Sequence, residues 1–387
     1  MDRIKRLAEP VHILAERSMR WLPALGVCIG LAACGGGADS AGNAVASAAG
    51  ASVAVAPLRV VATPNPNVFP LLLALAQDPS LPVSLVPVAS GGDIVNTFNS
   101  GHGDALLSMT YTAAQDVVTG QIPQLQLVDV DFWSGFWMLA PKSAGITQFS
   151  QLAGKGVLVS GPTSGGKGGG PDLIFQAAAR RAGLSASSFD LCYLPVMQAV
   201  PMILQQQAMN SNTACASGEA MAPTAISLVD PAATGLVMQS TTSTSISGPM
   251  VKAISFQTLF TGYTAWPQTQ LPHGGVSILS TVLNDSSRQQ EVQAVLAAYR
   301  AAADAIMAAK GHPAAMSQIT NSISSGITTY YGQYGLSLPA PVIAAALTSG
   351  DLVYRTDLSL SSVQADLSAF LAEVVGATPP ASFFHPI

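Results

Sequence analysis

The chain has 387 residues, of which 49% are hydrophobic and 10% are charged. By length and composition it is a globular protein with material for roughly two to three domain-sized cores, which excludes a disordered chain. Lys and Arg total 16 and Asp and Glu total 21, so the net charge is −5 at pH 7. The body of the chain carries no basic run. It therefore lacks the electrostatic footprint of nucleic-acid binding, and we expect no nucleic-acid partner.

The N-terminus has the pattern of an export signal. Five basic residues precede residue 21, and an uncharged apolar stretch follows at residues 21–33. This stretch is shorter than the ~20 residues of a membrane-spanning helix, and a basic flank followed by a short apolar run is typical of a secretory signal peptide. The alternative is a buried N-terminal helix. Removal of residues 1–33 takes away five bases and three acids and leaves a mature net charge of −7.

The apolar run ends in Leu-Ala-Ala-Cys-Gly, which resembles the lipobox of bacterial lipoproteins. The resemblance implies that Cys34 is lipidated and becomes the new N-terminus. Each acyl chain contributes about 0.8 kcal/mol per buried CH₂, and more than one chain anchors a protein stably. The stretch from residue 35 to residue 57, rich in Gly, Ala and Ser, predicts a flexible tether. We therefore divide this part into a signal peptide, residues 1–33, and a lipidated tether, residues 34–57.

From residue 58 onward, short β-branched runs alternate with helical stretches, which is typical of βαβ units and a mostly parallel sheet. The first series has predicted strands at residues 58–62, 83–88 and 105–109, with helices near residues 69–77 and 94–99. An apolar run at residues 125–130 then leads into an aromatic segment at residues 132–139. The second series has predicted strands at residues 156–160, 190–194, 213–216 and 235–239, with a helix at residues 171–181. The last third is mainly helical, most clearly at residues 287–310 and 361–375. Two similar series predict two α/β lobes.

Three stretches resemble motifs of the type II periplasmic substrate-binding proteins of the nitrate, sulfonate and taurine group, which includes thiamine-precursor binders. Residues 98–105, FNSGHGDA, are similar to the family's helix, Gly, x, Asp entry into a strand. Residues 149–160, FSQLAGKGVLVS, are similar to its D-L-x-G-K-x-V opening of the second lobe, although Gln151 replaces the usual acid. Residues 214–223, ACASGEAMAP, are similar to the strand with a trailing acid and proline that faces the cleft.

The resemblance implies an α/β protein with a two-lobed periplasmic-binding-protein-like fold. Each lobe is a mostly parallel sheet flanked by helices, and the C-terminal helices lie on lobe one. We assign residues 58–141 to the first part of lobe one, 142–247 to lobe two, and 248–387 to the completion of lobe one and the C-terminal helices. Pro, Gly and Ser interrupt apolar strands near residues 141–145 and 245–250. We expect the chain to cross between the lobes at these two places, and the crossings to act as hinges.

The function implied is that of an extracytoplasmic solute-binding lipoprotein. It would capture a small anionic or polar organic solute, similar to a sulfonate, nitrate or taurine, for an ABC importer. The implied partners are the small-molecule ligand, an ABC transporter permease and the membrane through the lipid anchor. We expect a monomer in the periplasm, lipid-anchored to the bacterial membrane, with no cofactor and no enzymatic activity. The alternatives are a secreted hydrolase and an orphan solute sensor without a transporter.

Cys192 and Cys215 are the two cysteines that remain after the signal peptide and Cys34 are set aside. An even number in an oxidising compartment favours a disulfide. The family's strand order, however, would place their strands on either side of the strand at residues 156–160, about 9–10 Å apart. That distance exceeds the reach of a disulfide, so we expect two buried free thiols.

Open α/β sheets bind ligands at the carboxyl ends of their strands, which selects the candidate site. The candidate ligand-binding residues are Asn65, Ser90, Gly91, Thr110, Tyr111, Trp133, Thr163, Ser164, Gly165 and Glu219. The segments around Ser90 and Ser164 precede helices, whose free N–H groups favour an anionic or strongly polar group. The alternative for each is an ordinary helix cap. Trp133 and Tyr111 fit an apolar cleft wall or the core of a lobe equally well.

Other chemistry finds little support in the sequence. Residues 161–168 approach the spacing of a phosphate-binding P-loop, but Gly168 stands where Ser or Thr would bind Mg²⁺, so we do not expect nucleotide hydrolysis. The five histidines show no metal-ligand spacing, and we expect no metal site. No G-x-S-x-G elbow occurs. A hydrolase assembled from distant residues leaves no linear signature, which is why it stays the alternative.

Overall fold

The strands form two five-stranded sheets in the computed structural model, which describes residues 56–161, 166–209, 215, 222–242 and 246–387. The strands are β1 (Leu58–Ala62), β2 (Val83–Pro87), β3 (Ala105–Met109), β4 (Leu125–Phe132), β5 (Phe136–Pro141), β6 (Gly156–Gly161), β7 (Asp190–Pro195), β8 (Pro223–Val229), β9 (Met250–Ser255) and β10 (Gly274–Leu279). The predictions for β1 and β3 are confirmed to the residue.

The helices flank these sheets and dominate the last third of the chain, as predicted. They are α1 (Phe69–Gln77), α2 (Gly91–Asn99), α3 (Thr110–Val118), α4 (Gly170–Arg181), α5 (Val196–Leu204), α6 (Ala232–Thr242), α7 (Ser280–Leu283), α8 (Gln289–Ala308), α9 (Pro313–Tyr331), α10 (Ala340–Ser349) and α11 (Leu360–Val375). Within the described ranges, none of these helices combines the length and the apolar character needed to cross a membrane.

The two sheets share one topology. The first has the order β2-β1-β3-β10-β4 and the second the order β7-β6-β8-β5-β9. In each, the first three strands are parallel, and the fourth, β10 or β5, is antiparallel to both of its neighbours. We call each sheet with its helices a lobe. Because β10 follows the whole second sheet in the chain, the first lobe is completed only after the second has formed.

The chain therefore changes lobe between Phe132 and Phe136 and again between Ser255 and Gly274. The crossings expected at residues 141–145 and 245–250 are wrong, because both segments connect elements of the second lobe. The first crossing cannot be recognised in the sequence. Residues 125–139 read as one apolar and aromatic run, and only the short Ser-Gly interruption separates a strand of one lobe from a strand of the other.

The C-terminal helices pack on the first lobe, as expected. Helices α8 and α9 both contact α1, and α10 packs against α9. One apolar core joins β1 to these helices and includes Val60, Leu72, Leu296 and Ile323. The last third of the chain is therefore part of the first lobe and not a separate domain.

One predicted strand of the second lobe is wrong, and another lies outside the described residues except at Cys215. Residues 235–239 belong to helix α6. The prediction failed because the apolar stretch Gly-Leu-Val-Met-Gln is too short for its periodicity to distinguish a strand from a helix. Of the predicted strand at residues 213–216 the structure describes only Cys215, which does not lie in the third strand of the sheet. That position belongs to β8, and Cys215 makes only an isolated antiparallel bridge with Cys192.

This misplacement explains the error about the cysteines. Cys192 and Cys215 form a disulfide, with their Cα atoms 4.0 Å apart, so the expectation of two free thiols is wrong. Strand β7, which carries Cys192, is the edge strand of its sheet and has β6 on one side only. Cys215 pairs with the other side of β7 and is not separated from Cys192 by an intervening strand.

The disulfide predicts a loss of stability when it is removed. It joins residues 23 positions apart, and a loop of this size restricts the unfolded chain by about 3 kcal/mol. We expect Cys215→Ser to lower the free energy of unfolding by about that amount in a urea titration. A reducing agent should destabilise the wild-type protein equally and leave the variant unchanged. An identical urea midpoint for reduced and oxidised wild-type protein would contradict the disulfide.

Candidate ligand-binding cleft

The carboxyl ends of the parallel strands of both lobes meet along one cleft. Loops after β1, β2 and β3 approach it from the first lobe, and loops after β6, β7 and β8 approach it from the second. The cleft holds two cavities of about 120 and 70 Å³, which share Asn65 and Met109 in their walls. This is the position at which open α/β sheets bind ligands.

The larger cavity, which we call the apolar chamber, is lined mainly by hydrocarbon side chains. Its apolar wall consists of Pro64, Pro66, Phe69, Met109, Val196, Met197, Val229, Pro231, Ala232, Ile327, Leu336 and Leu338. The polar residues in the wall are Asn65, Ser160, Asp230 and Ser337. Both lobes and the C-terminal helices contribute to this chamber, so a ligand in it would touch three parts of the chain.

The smaller cavity, which we call the polar chamber, is lined by small side chains and by backbone. It is formed by Thr63, Asn65, Ala89, Ser90, Gly91, Ile94, Ser108, Met109 and Thr112 of the first lobe and by Gly161, Gly166, Gly169, Gly170 and Pro171 of the second. Helices α2 and α4 both begin at this chamber, because Gly91 and Gly170 are their first residues.

The two lobes touch directly at Gly170. A Cβ atom on this residue would lie 2.5 Å from Met109 Sδ and 2.7 Å from Thr112 Oγ1. Glycine permits this approach without displacement, whereas a larger residue would have to displace the Met109 and Thr112 side chains or separate the starts of α3 and α4. The glycines of the loop after β6 therefore bring the second lobe close to the first, which is a role the phosphate-loop spacing did not indicate.

Three of the predicted site residues line the cleft. Asn65 is buried, and its Oδ1 accepts the Asn67 N–H at 2.9 Å while its Nδ2 donates to Thr63 Oγ1 at 2.8 Å. Ser90 caps α2, because its Oγ accepts the Asp93 N–H at 3.2 Å and donates to Asp93 Oδ2 at 2.8 Å. Gly91 is exposed at the start of α2. The helix-cap alternative thus describes the hydrogen bonds of Ser90, although the residue also lines the polar chamber.

Three others lie in the packed interior and not at the cleft surface. Thr110 donates to the Pro272 carbonyl at 2.6 Å, and the Tyr111 hydroxyl lies 3.3 Å from His273 Nδ1. Burial lowers the pKa of His273 to about 3, so the ring is neutral. Trp133 is fully buried and follows β4 in the crossing between lobes. The hydrogen-bond partners of Thr110 and Tyr111 lie more than a hundred residues further along the chain, and strand-end spacing does not reveal such contacts.

The remaining predicted site residues lie outside the described part of the chain. These are Thr163, Ser164, Gly165 and Glu219, together with the lipidation site Cys34.

Sequence reasoning missed two groups of cleft residues. Asp230 and Pro231 follow β8, and their signal was the mainly apolar run at residues 225–229, which was not recognised as a strand. Leu336 and Leu338 follow α9 and carry no local signal. Ser160, at the edge of the predicted loop, is 2% exposed, and within the described residues its hydroxyl has no hydrogen-bond partner. A buried hydroxyl without a partner is unfavourable unless a ligand or water satisfies it.

Tyrosines from the last third of the chain support the loop after β1. Tyr331 donates to the Ala62 carbonyl at 3.1 Å, Tyr354 to the Pro66 carbonyl at 2.8 Å, and Tyr299 to the Asn67 carbonyl at 2.8 Å. All three hydroxyls are buried, so these hydrogen bonds are shielded from competing water. They hold the loop that presents Asn65 to both chambers.

A buried carboxyl group, that of Asp131, is hydrogen-bonded to one of these tyrosines. Burial, together with the charge of neighbouring Asp129, raises the pKa of Asp131 to about 8, so the group is protonated at neutral pH. Tyr299 lies 2.5 Å from Asp131 Oδ2 and has a single hydrogen, which it donates to the Asn67 carbonyl. Protonated Asp131 therefore donates to the Tyr299 oxygen, and a chain of hydrogen bonds runs from β4 to the cleft loop.

An ion cluster beside the apolar chamber joins the two lobes. Lys252 on β9 lies 2.7 Å from Asp230, 2.8 Å from Thr234 and 2.7 Å from Asp351, which follows α10 on the first lobe. Burial raises the pKa of Asp230, and Lys252 opposes that rise. The Asp230 N–H also donates to the Gly135 carbonyl in the crossing at 2.6 Å. Asp230, in the wall of the apolar chamber, is thus hydrogen-bonded to the segment in which the chain changes lobe.

Solved structures with this architecture define the class of fold. No family model matches the sequence, and no curated protein matches it. A Candida albicans gene product with the generic periplasmic binding protein fold is 14% identical, with 83% of this chain and 90% of that chain covered and a TM-score of 0.53. The chain therefore has the periplasmic-binding-protein fold.

Two bacterial binding proteins share this fold. The aliphatic sulphonate-binding protein SsuA from Escherichia coli is 17% identical, with 83% of this chain and 86% of that chain covered and a TM-score of 0.57. The nitrate-binding protein NrtA from Synechocystis PCC 6803 is 11% identical, with 79% and 75% covered and a TM-score of 0.51. At these identities the likeness shows the fold alone.

The raised pKa of Asp131 predicts a pH-dependent stability. The unfolded carboxyl ionises near its ordinary pKa of about 3.9, whereas the folded one stays protonated to about pH 8, so stability is lost as pH rises between these values. Asp131→Asn cannot ionise and can still donate to Tyr299. We expect the variant to gain about 1 kcal/mol per pH unit relative to wild type between pH 5 and pH 8, measured by urea unfolding.

The control is Asp357→Asn, since Arg355 lowers the pKa of exposed Asp357 and any effect of this change falls below pH 5. Parallel stability profiles for wild type and Asp131→Asn would show that Asp131 is ionised in the folded protein, contrary to the hydrogen-bond chain described above.

Proposed function

We propose that this protein is an extracytoplasmic solute-binding lipoprotein that captures a small organic solute between its lobes and delivers it to an ABC importer. The observation that carries the proposal is the convergence of strand ends from both lobes, and of the C-terminal helices, on one cleft with two chambers. The fold shared with sulfonate- and nitrate-binding proteins supports a transport role and a periplasmic location.

Binding is proposed to favour a closed arrangement of the lobes. The chain crosses between them at residues 133–135 and 256–273, and these segments are the proposed hinges. A solute that touches Asn65 of the first lobe and Ser160 of the second gains contacts only when the lobes are close. A ligand shifts a conformational equilibrium by its difference in affinity for the two states, so such contacts drive closure.

Binding without chemistry fits the described cleft better than hydrolysis does. Ser160 has the hydroxyl that a nucleophile needs, but among the described residues of either chamber there is no histidine to accept its proton. The sequence-based alternatives of a secreted hydrolase and an orphan sensor differ from the proposal in a measurable way. Deletion of the gene should abolish uptake of the solute in the case of an importer component.

Closure predicts a strong effect of a side chain at Gly170. We expect Gly170→Val to hold the starts of α3 and α4 apart, because its Cβ would overlap Met109 and Thr112. The affinity for a solute identified by thermal-shift screening should fall at least ten-fold by calorimetry, and X-ray scattering should show no compaction with that solute.

The matched control is Gly332→Val, because no atom lies within 4 Å of a Cβ at this exposed position, which lines neither chamber. It should bind and compact as the wild type does. If Gly170→Val is folded by circular dichroism and binds with wild-type affinity, the lobes do not close on the ligand.

The proposed anchor is tested separately. Cys34→Ala removes the thiol that the lipobox requires for acylation, so we expect the variant to take up no labelled fatty acid and to fractionate away from membranes. Wild-type protein should be labelled and should sediment with the membrane. A variant that stays in the membrane pellet would contradict the lipoprotein assignment.

A further inference from the structure

We infer that the ligand of this cleft is an uncharged small molecule with a mainly apolar body, and not an anion. The inference rests on the proposed function, since it concerns the solute of the same cleft. It departs from the anionic or strongly polar solute that the helix starts and the family resemblance suggested. Three observations carry it: the walls of the apolar chamber, the missing counter-charge, and the acids already present at the helix starts.

The apolar chamber can enclose the body of such a molecule. Its volume of about 120 Å³ compares with roughly 10–15 Å³ for one water on the same measure, which leaves room for several heavy atoms. Hydrocarbon from both lobes and from α9 surrounds this space, so an ionic group there would lose its hydration without compensation. Met197, 59% exposed at the chamber, is a flexible side chain that can adapt to the shape of the ligand.

The described walls of the cleft carry no basic side chain that would neutralise an anion. Among the described residues that line either chamber there is no Lys, Arg or His. The internal segments that the structure does not describe, residues 162–165, 210–214, 216–221 and 243–245, contain none either. Lys167 lies over the ring of Tyr193, 5.7 Å from its centroid, and Lys252 is held by the carboxylates of Asp230 and Asp351.

The helix starts that face the polar chamber carry their own negative charges. Asp93 lies in the first turn of α2, where it accepts the Ser90 hydroxyl. Asp172 lies in the first turn of α4, where it accepts the Gly168 N–H at 2.9 Å and the Tyr193 hydroxyl at 3.0 Å. Each helix N-terminus offers about half a positive charge, so one carboxylate is enough to offset it. A further anion between the two helices would meet two carboxylates and no full positive charge.

The polar groups that remain available suit an uncharged partner. The Ser160 hydroxyl is buried and unpaired within the described residues, and it can both donate and accept. Asn65 uses one of its two amide hydrogens on Thr63. A hydroxyl or amide oxygen on the ligand can accept from both groups without bringing a full charge against the apolar wall. The structure therefore assigns the polar end of the ligand to Ser160 and Asn65, with its apolar body in the larger chamber.

The test compares one carbon skeleton with different head groups. The probes are 1-pentanol, pentanamide, pentanoate, pentane-1-sulfonate and pentylammonium, measured with the full mature protein by calorimetry at pH 7. We expect the alcohol or the amide to bind at least ten-fold more tightly than the two anions and the ammonium. Tighter binding of an anion or of the ammonium overturns the inference and leaves the proposed function intact.

A wider thermal-shift screen distinguishes a failure of the inference about ligand charge from a failure of the proposed solute-binding function. It includes nitrate, taurine, sulfonates, sugars, amino acids and small alcohols and amides. A ligand found only in this screen supports the inference if it is uncharged and overturns it if it is anionic. If no compound binds in either experiment, the proposed solute-binding function itself is contradicted.

Two variants test the placement of the polar end. Ser160→Ala should weaken binding of the uncharged ligand about five-fold, because one buried hydrogen bond is lost. Ser227→Ala is the matched control, since Ser227 is equally buried on neighbouring β8 and has no hydrogen-bond partner in the described chain, but it lines neither chamber. Equal affinities for Ser160→Ala and Ser227→Ala would overturn the placement.

Asp93→Asn tests the electrostatic part of the inference. It keeps the size of the side chain and the acceptor for Ser90 but removes a negative charge from the start of α2. We expect pentanoate to gain about three-fold in affinity relative to 1-pentanol. An unchanged ratio would show that the acids at the helix starts do not determine the charge of the ligand.

Discussion

The cleft depends on hydrogen bonds between buried tyrosines of the C-terminal third and the first loop of the fold. Tyr299, Tyr331 and Tyr354 bind main-chain carbonyls of residues 62–67 across sequence separations of 232 to 288 residues. A main-chain carbonyl buried without a partner is costly, so the loop after β1 can keep its conformation only when the C-terminal helices are docked. The helices that seem remote from the site in sequence therefore determine its shape, and they also supply Ile327 to its wall.

The exchange of strands between the lobes places a second constraint on the cleft. Strand β10 completes the first sheet only after the chain has returned from the second, and β5 enters the second sheet directly from β4. The two crossings contact each other, since the Leu271 N–H donates to the Trp133 carbonyl at 2.7 Å. Lys252, Asp230 and Asp351 join the lobes at this place, and the floor of the apolar chamber is part of the same cluster. A solute in the chamber would therefore contact Asp230, a residue that connects the two lobes.

Local sequence patterns predicted the strands, the helices and the positions at strand ends, because these depend on neighbouring residues. Strands β1 and β3 and helix α1 have clear periodicity, and Asn65, Ser90 and Gly91 follow from the rule that ligands bind at strand ends. Tyr111 and Trp133 could not be distinguished from cleft residues, because their surroundings come from distant segments such as His273 and Trp266. The disulfide was missed for a related reason, since the edge position of β7 depends on the order of the whole sheet.

The helix starts at the cleft show that a local rule about anion binding depends on the residues around each helix N-terminus. A free helix N-terminus attracts anions, and both α2 and α4 begin at the cleft. The rule assumes that the N-terminus is free, whereas Asp93 and Asp172 occupy the first turns and bind the nearby donors. Both acids are visible in the sequence, two residues after the first residue of each helix, where a carboxylate stabilises the helix itself. These charges are the basis of the inference that the cleft takes an uncharged solute, whose recognition would then rest on shape and on hydrogen bonds.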